Sequence, residues 1–145
     1  MSNALHLDNQ LCFAFYAASR AMTAVYGPLL AELDLTYPQY LVMLVLWERD
    51  GERVSAIGER LHLDSATLTP LLKRLESRGL IDRRRSSADE RVVEVFLTAA
   101  GKRLERKAAD IPRCLLDAAD LSIAEIGKLR AQVQALTAQL RSRTK

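Results

Sequence analysis

Two cysteines, Cys12 and Cys114, are the residues of this chain most able to do covalent chemistry at neutral pH. A thiol attacks through its thiolate. The two lie far apart, form no CxxC pair, and are accompanied by only two histidines, His6 and His62. That inventory builds neither a zinc ribbon nor a thioredoxin-type motif, so no metal or other cofactor is expected. Asp8 is a candidate cap for a first helix, which puts Cys12 about one turn into it, where the helix dipole favours thiolate. The same place, between Leu11 and Phe13, equally suits a small buried hydrophobe. No companion base or nucleophile elbow accompanies the thiols, so an enzyme such as a thiol peroxidase is not expected.

The second chemical pattern is charge. The whole chain has 21 Lys and Arg against 18 Asp and Glu, a net charge of only +3. Between Lys73 and Arg91, however, seven basic residues face four acidic ones. A concentration of guanidinium groups of this kind suits a polyanion, DNA above all. Arginines on a hairpin also serve to keep a strand edge soluble. The neighbouring elements tip the reading towards DNA.

Those elements follow from the apolar spacing. Residues 11–33 carry Leu11, Phe15, Ala18, Met22, Val25, Leu29 and Leu33 as one helical stripe, with Gly27-Pro28 expected to bend or interrupt it. Thr36 is a candidate N-cap and Pro38 suits a first turn, so 39–48 reads as a second, central helix ended by Asp50-Gly51. Residues 55–61 read as a short third helix capped by Ser55. Asp64 or Ser65 caps a fourth, over 65–78, stopped by Gly79. Pro70 implies either a bend in that helix or a late start. Residues 80–85 and 92–97 read as two strands around the polar tip Ser86-Ser87-Ala88-Asp89-Glu90. Thr98 caps a fifth helix reaching about Ala119 with a kink at Pro112. Ser122 opens a sixth with Ile126, Leu129, Val133, Leu136 and Leu140 on one face.

Helix, tight turn, helix, strand, charged loop, strand is the order of a winged helix-turn-helix: a mainly α fold with a small β-hairpin wing. Such a unit lays its second helix in the major groove. Ser65, Thr67 and Thr69 sit at the N-terminal end of that helix, with Lys73 and Arg74 further along. On the hairpin, Arg84, Arg85 and Arg91 are placed to reach phosphates or the minor groove. The start, MSNALHLDNQ, lacks the basic-then-apolar order of a secretory signal, and no apolar run is long enough to span a bilayer. A cytoplasmic protein with thiols reduced at rest, and no membrane association, is expected.

These residues also carry a family resemblance. LHLDSATLTPLLKRLE at 61–76, GLI at 79–81 and DER at 89–91 resemble the MarR family of bacterial repressors. LDNQLCF at 7–13 and LTYPQYL at 35–41 resemble its organic hydroperoxide resistance (OhrR-type) regulators. The resemblance implies a homodimer on a palindromic double-stranded DNA operator. Residues 1–145 would form one domain, with 53–98 the winged lobe and 7–34 and 99–145 the helical dimerisation region. It implies that Asp89 orients Arg91 in the wing. It implies that Cys12 is oxidised by organic hydroperoxides, the inducers, releasing the operator. Tyr26 and Tyr37 match the tyrosines that hydrogen-bond to the thiolate, the one on the second helix coming from the partner chain. Read by residue type alone, both are as well explained as packed tyrosines, like Tyr16 and Tyr40. Cys114 is either the second redox cysteine or an unreactive helix residue. A repressor of the same family governed by a small aromatic ligand, with Cys12 structural, is the alternative.

Overall fold

The computed structural model describes residues 3–144. They fall into two compact units, one up to Ala109 and one from Asp110 on. The chain begins with single 3-10 turns at Asn3–Leu5 and Leu7–Asn9. The Asn9 side chain donates to Asn3 O and the Gln10 side chain to Ala4 O, both at 2.6 Å. Helix α1 (Leu11–Ala31) follows, with Gln10 at its N-cap and no side-chain cap bond. Asp8 therefore does not cap α1; it lies inside a 3-10 turn. Nor do Gly27 and Pro28 interrupt α1, which runs on past both. Pro28 removes one backbone donor three residues before the helix ends, where the loss disturbs little beyond it.

Helix α2 (Tyr37–Glu48) starts at a capping box: Gln39 N donates to Thr36 Oγ1 at 3.4 Å, and Thr36 N to Gln39 Oε1 at 3.0 Å. Pro38 sits in its first turn, as expected. Val42, Met43 and Leu46 are fully buried and make α2 the centre of the unit. Around it lie β1 (Glu52–Arg53), α3 (Val54–Leu61), α4 (Ser65–Ser77), β2 (Ile81–Arg85), β3 (Val93–Leu97) and α5 (Ala99–Ala108). Ile57 of α3, Leu68, Leu72 and Leu75 of α4, Ile81 of β2 and Val95 of β3 complete the buried core.

The sheet has three antiparallel strands in the order β1-β3-β2. The hairpin expected from the sequence is there, paired from Ile81↔Leu97 to Arg85↔Val93. Strand β1, with Glu52 opposite Val95, is an addition. Two residues are too short to show an alternating pattern, so the sequence held no signal for it. Its presence moves the start of α3: Arg53 is the N-cap and Ser55 lies within the helix, so Ser55 is not the cap.

The expected fifth helix is in fact two. Helix α5 ends at Ala108 and α6 (Ile111–Ala119) begins after Asp110. Pro112 stands in the first turn of α6, where its missing N–H would have had no helical partner anyway, rather than kinking one long helix. The second unit continues through Asp120, at φ +53°, into α7 (Ile123–Ser142). Ser122 and Glu125 form a capping box there. No residue of α7 is buried. Among the described residues, no helix is long and apolar enough to cross a membrane.

Candidate nucleic-acid interface and thiol site

Helices α3 and α4 are held by a turn only His62-Leu63-Asp64 long. His62 adopts the left-handed conformation, φ +56°, and Leu63 N bonds back to Gly58 O at 2.9 Å. A Cβ on Gly58 would lie 2.9 Å from the Leu63 carbonyl oxygen, so glycine lets the two helices approach this closely. Asp64 then caps α4, accepting from Thr67 N at 2.8 Å. Thr67, through its backbone N–H and then its side chain, holds the Asp64 carboxyl below the usual carboxylate range. Ser65 and Thr67 are exposed on the first turn, with Thr69 half-buried and Lys73 and Arg74 exposed further on. Leu68, Leu72 and Leu75 occupy the opposite, buried face, so α4 is amphipathic with its polar side outward. Pro70 lies inside α4, which neither breaks there nor starts late.

The basic residues of 73–91 divide into two groups. Arg83 Nη2 donates to Glu76 Oε1 at 3.1 Å and Arg83 N to Glu76 Oε2 at 3.0 Å, which ties the base of the wing to α4. These bonds hold the Glu76 carboxyl below its ordinary range. Arg78 donates to Leu33 O and Asp34 O, fastening the end of α4 to the α1–α2 loop. Both arginines are thus structural ties. Arg84 is separated from its neighbours by strand alternation. It lies 4.8 Å over the Phe96 ring and pairs with Asp82 at 3.6 Å, on the face opposite the buried Val95.

At the wing tip the geometry is tight. Asp89 Oδ1 accepts from Arg91 N at 3.0 Å and Arg91 Nε at 3.1 Å, while Asp89 Oδ2 accepts from Arg91 Nη2 at 3.2 Å. Hydrogen bonds from Arg91 are the main reason its carboxyl sits below the usual range. The Arg91 side chain is nevertheless 90% exposed, a guanidinium aimed rather than hidden. Arg85 Nη1 donates to Glu90 O at 2.9 Å across the same tip.

The thiol residues are distributed differently. Cys12 is the second residue of α1 and is exposed. Along the same helix Leu11, Phe15 and Met22 are 61%, 37% and 45% exposed, so the expected apolar stripe is uncovered over the first half of α1. Tyr26 stacks near Tyr37, with ring centroids 5.1 Å apart, and Tyr40 closes a third side at 6.0 Å from Tyr26. Burial, and then the neighbouring Tyr37 and Tyr40, push the Tyr26 phenol up to about 12. Burial raises the Tyr37 phenol too. Both remain hydrogen-bond donors at neutral pH.

Cys12 and Tyr26 share one unbroken helix, fourteen positions apart, or about 21 Å at 1.5 Å per residue. Within one chain the thiol cannot meet either phenol. Tyr26 and Tyr37 therefore form one cluster beyond the reach of the Cys12 of their own chain. Cys114 lies on α6, half-buried.

A sequence profile of the family described as "Transcriptional regulator SarA/Rot" matches residues 24–107. The chain belongs to the MarR/SarA family of transcriptional regulators. The organic hydroperoxide resistance transcriptional regulator of Bacillus subtilis (strain 168) is 49% identical over 132 residues, 91% of this chain and 90% of that protein. A solved structure of reduced AbfR bound to DNA superposes with TM-score 0.81 at 33% identity, covering 96% of this chain and 95% of that one. AbfR, from Staphylococcus epidermidis, has also been solved in a disulfide form, with TM-score 0.64 at 36% identity over 94% of this chain and 90% of that one.

A member of this family is a regulator, not an enzyme. The MarR-like winged fold expected from the sequence is present, with a three-stranded rather than two-stranded wing. What residue types could not announce is the division of labour among the arginines. The one available signal was Glu76, an acid placed seven residues before Arg83 amid basic neighbours.

Proposed function

We propose that this MarR/SarA-family chain acts as a homodimeric repressor that leaves its palindromic operator when an organic hydroperoxide oxidises Cys12. The observation that carries the reading is the Tyr26–Tyr37 pair, two protonated phenols on a chain whose own Cys12 is out of reach. A second copy, packed on the uncovered faces of α1 and α7, would bring its Cys12 to that pair. Residues 7–34 and 99–145 would then form the dimerisation region, and 53–98 the DNA-binding lobe.

The chemistry balances simply. The Cys12 thiolate attacks the terminal oxygen of R–O–OH; an S–O bond forms, the O–O bond breaks, and RO⁻ takes a proton from water to leave as the alcohol. Cys12 becomes a sulfenic acid, less basic and bulkier than the thiolate, and the phenols lose their acceptor. A thiol can then displace water from the sulfenic acid to give a disulfide. Cys114 of the second copy is the thiol the protein itself supplies. The likeness to AbfR, solved both reduced on DNA and as a disulfide, supports this sequence of states.

On DNA, Ser65, Thr67 and Thr69 with Lys73 and Arg74 would face the major groove, while Arg85 and the Asp89-oriented Arg91 carry the wing to the backbone or minor groove. Arg84, held over Phe96, would act mainly by bracing the wing. Fluorescence anisotropy on a duplex from the protein's own upstream region tests the whole reading. On adding cumene hydroperoxide, reduced wild type is expected to release the duplex and Cys12→Ser to stay bound. Release by both, or by neither, would remove Cys12 from the switch and favour control by a small ligand.

A further inference from the structure

Where α3, α4 and the wing meet, a cleft of about 330 Å³ opens, lined by Arg53, Ser55, Thr69, Arg83 and Arg91 among others. Three guanidinium groups and two hydroxyls in one small cleft make a surface that favours an oxyanion. The three cations are not equivalent. Arg83 is held by Glu76 and Arg91 by Asp89. Arg53 has no carboxylate within ion-pair distance among the described residues, although it faces Glu94 across the β1–β3 ladder and its charge helps lower Asp89. Arg53 is also the N-cap of α3, and no side chain satisfies the first N–H groups of that helix. The other helices that open the winged lobe differ: α2 and α4 have their own side-chain caps. Ser55, exposed on the first turn of α3, adds a hydroxyl donor beside those free N–H groups.

We propose that this cleft seats one DNA backbone phosphate, with Arg53 at the end of β1 and Ser55 of α3 closing on it from one side and Arg91 of the wing from the other. The proposal rests on the DNA-binding reading and adds a contact outside α4 and the hairpin. A phosphate here would fix the angle between the start of α3 and the wing, because its ligands come from both. It would carry no sequence information of its own, since phosphate contacts position and base contacts specify.

The test compares wild type, Arg53→Ala and Ser55→Ala by anisotropy on two duplexes, one from the protein's own upstream region and one of scrambled sequence, across a salt series. Arg53→Ala is expected to weaken binding about tenfold on both duplexes and to lower the slope of log K against log salt by about 1. Ser55→Ala, which removes no charge, should weaken both duplexes by a smaller factor and leave the slope unchanged. Wild-type affinity and slope in Arg53→Ala would overturn the phosphate seat while leaving DNA binding intact. So would a loss confined to the upstream duplex, which would mean base reading instead. If wild type itself binds neither duplex, the DNA reading fails and takes the seat with it. Thermal melts of both variants check the fold, and Ser55→Ala still decides if Arg53→Ala does not fold.

Discussion

Tyr26 and Tyr37 stand ring to ring, 5.1 Å apart, at the end of α1 and the start of α2. The capping box at Thr36 fixes where α2 begins and so where Tyr37 points. A thiolate meeting this pair would accept from two phenols, both donors at neutral pH, which burial pushes further up from their ordinary value. Hydrogen bonds to a charged group contribute about 1.5–3 kcal/mol each. Tyr26→Phe and Tyr37→Phe are each expected to slow peroxide oxidation of Cys12 by about tenfold or more, with DNA affinity unchanged. Competition kinetics against a reference thiol measures it; an unchanged rate in both variants would disconnect the pair from Cys12.

The wing arginines should separate cleanly. Arg91→Ala is expected to cost about 1–3 kcal/mol of DNA affinity. Asp89→Ala should cost less, because the guanidinium stays but loses its two-oxygen hold. Arg84→Ala, removing a side chain stacked on Phe96 and paired with Asp82, should change DNA affinity least of the three. Anisotropy titrations rank them, and equal losses for Arg84→Ala and Arg91→Ala would contradict the two-faced wing.

Oxidised product gives a separate prediction. After stoichiometric hydroperoxide, wild type should run as a covalent dimer on a non-reducing gel, and Cys114→Ser as a monomer. A covalent dimer that persists in Cys114→Ser would mean that Cys12 pairs with its own counterpart.

Gly101 is a packing requirement. A Cβ there would fall inside van der Waals distance of the Leu80 carbonyl oxygen and 3.2 Å from Leu97 Cδ2. Backbone cannot move aside as a side-chain tip can, and Gly101 O also accepts from Trp47 Nε1 at 2.9 Å. Gly101→Ala is expected to destabilise by about 1–3 kcal/mol, the usual range for overpacking, read as a lowered midpoint in urea.

Acid should loosen the wing from α4. The Arg83 bonds lower the Glu76 carboxyl below its ordinary 4.5. A depressed folded value means the carboxylate's contribution is present above the unfolded value and is lost as pH falls through the folded one. The melting temperature should therefore drop on acidification below 4.5, the ordinary value for this group. Glu76→Gln should start lower at neutral pH and show a shallower fall, as followed by circular dichroism.

Much of this protein is local in origin and so could be read from residue order. Thr36, Asp64, Thr98 and Ser122 cap the helices they precede, each accepting a backbone N–H three residues on. That signal needs only a few consecutive residues. The hairpin and the winged order follow from apolar spacing for the same reason. The sequence also held the motifs that resemble the family, and with them the candidate roles of Cys12, Asp89 and Arg91.

Tertiary structure decided what depends on residues far apart. Strand β1 exists only because β3 lies beside it, and it takes the capping position from Ser55. Asp8 lost its role to the turns pinned by Asn9 and Gln10. Which arginines brace the lobe depends on partners: Glu76 for Arg83 and the carbonyls of Leu33 and Asp34 for Arg78, while Arg84 lies over Phe96 and stays mostly exposed. A guanidinium is the same group at every position, and only its surroundings distinguish them. The same holds for the thiol site, because an unbroken α1 separates Cys12 from Tyr26 of its own chain by a fixed rise per residue.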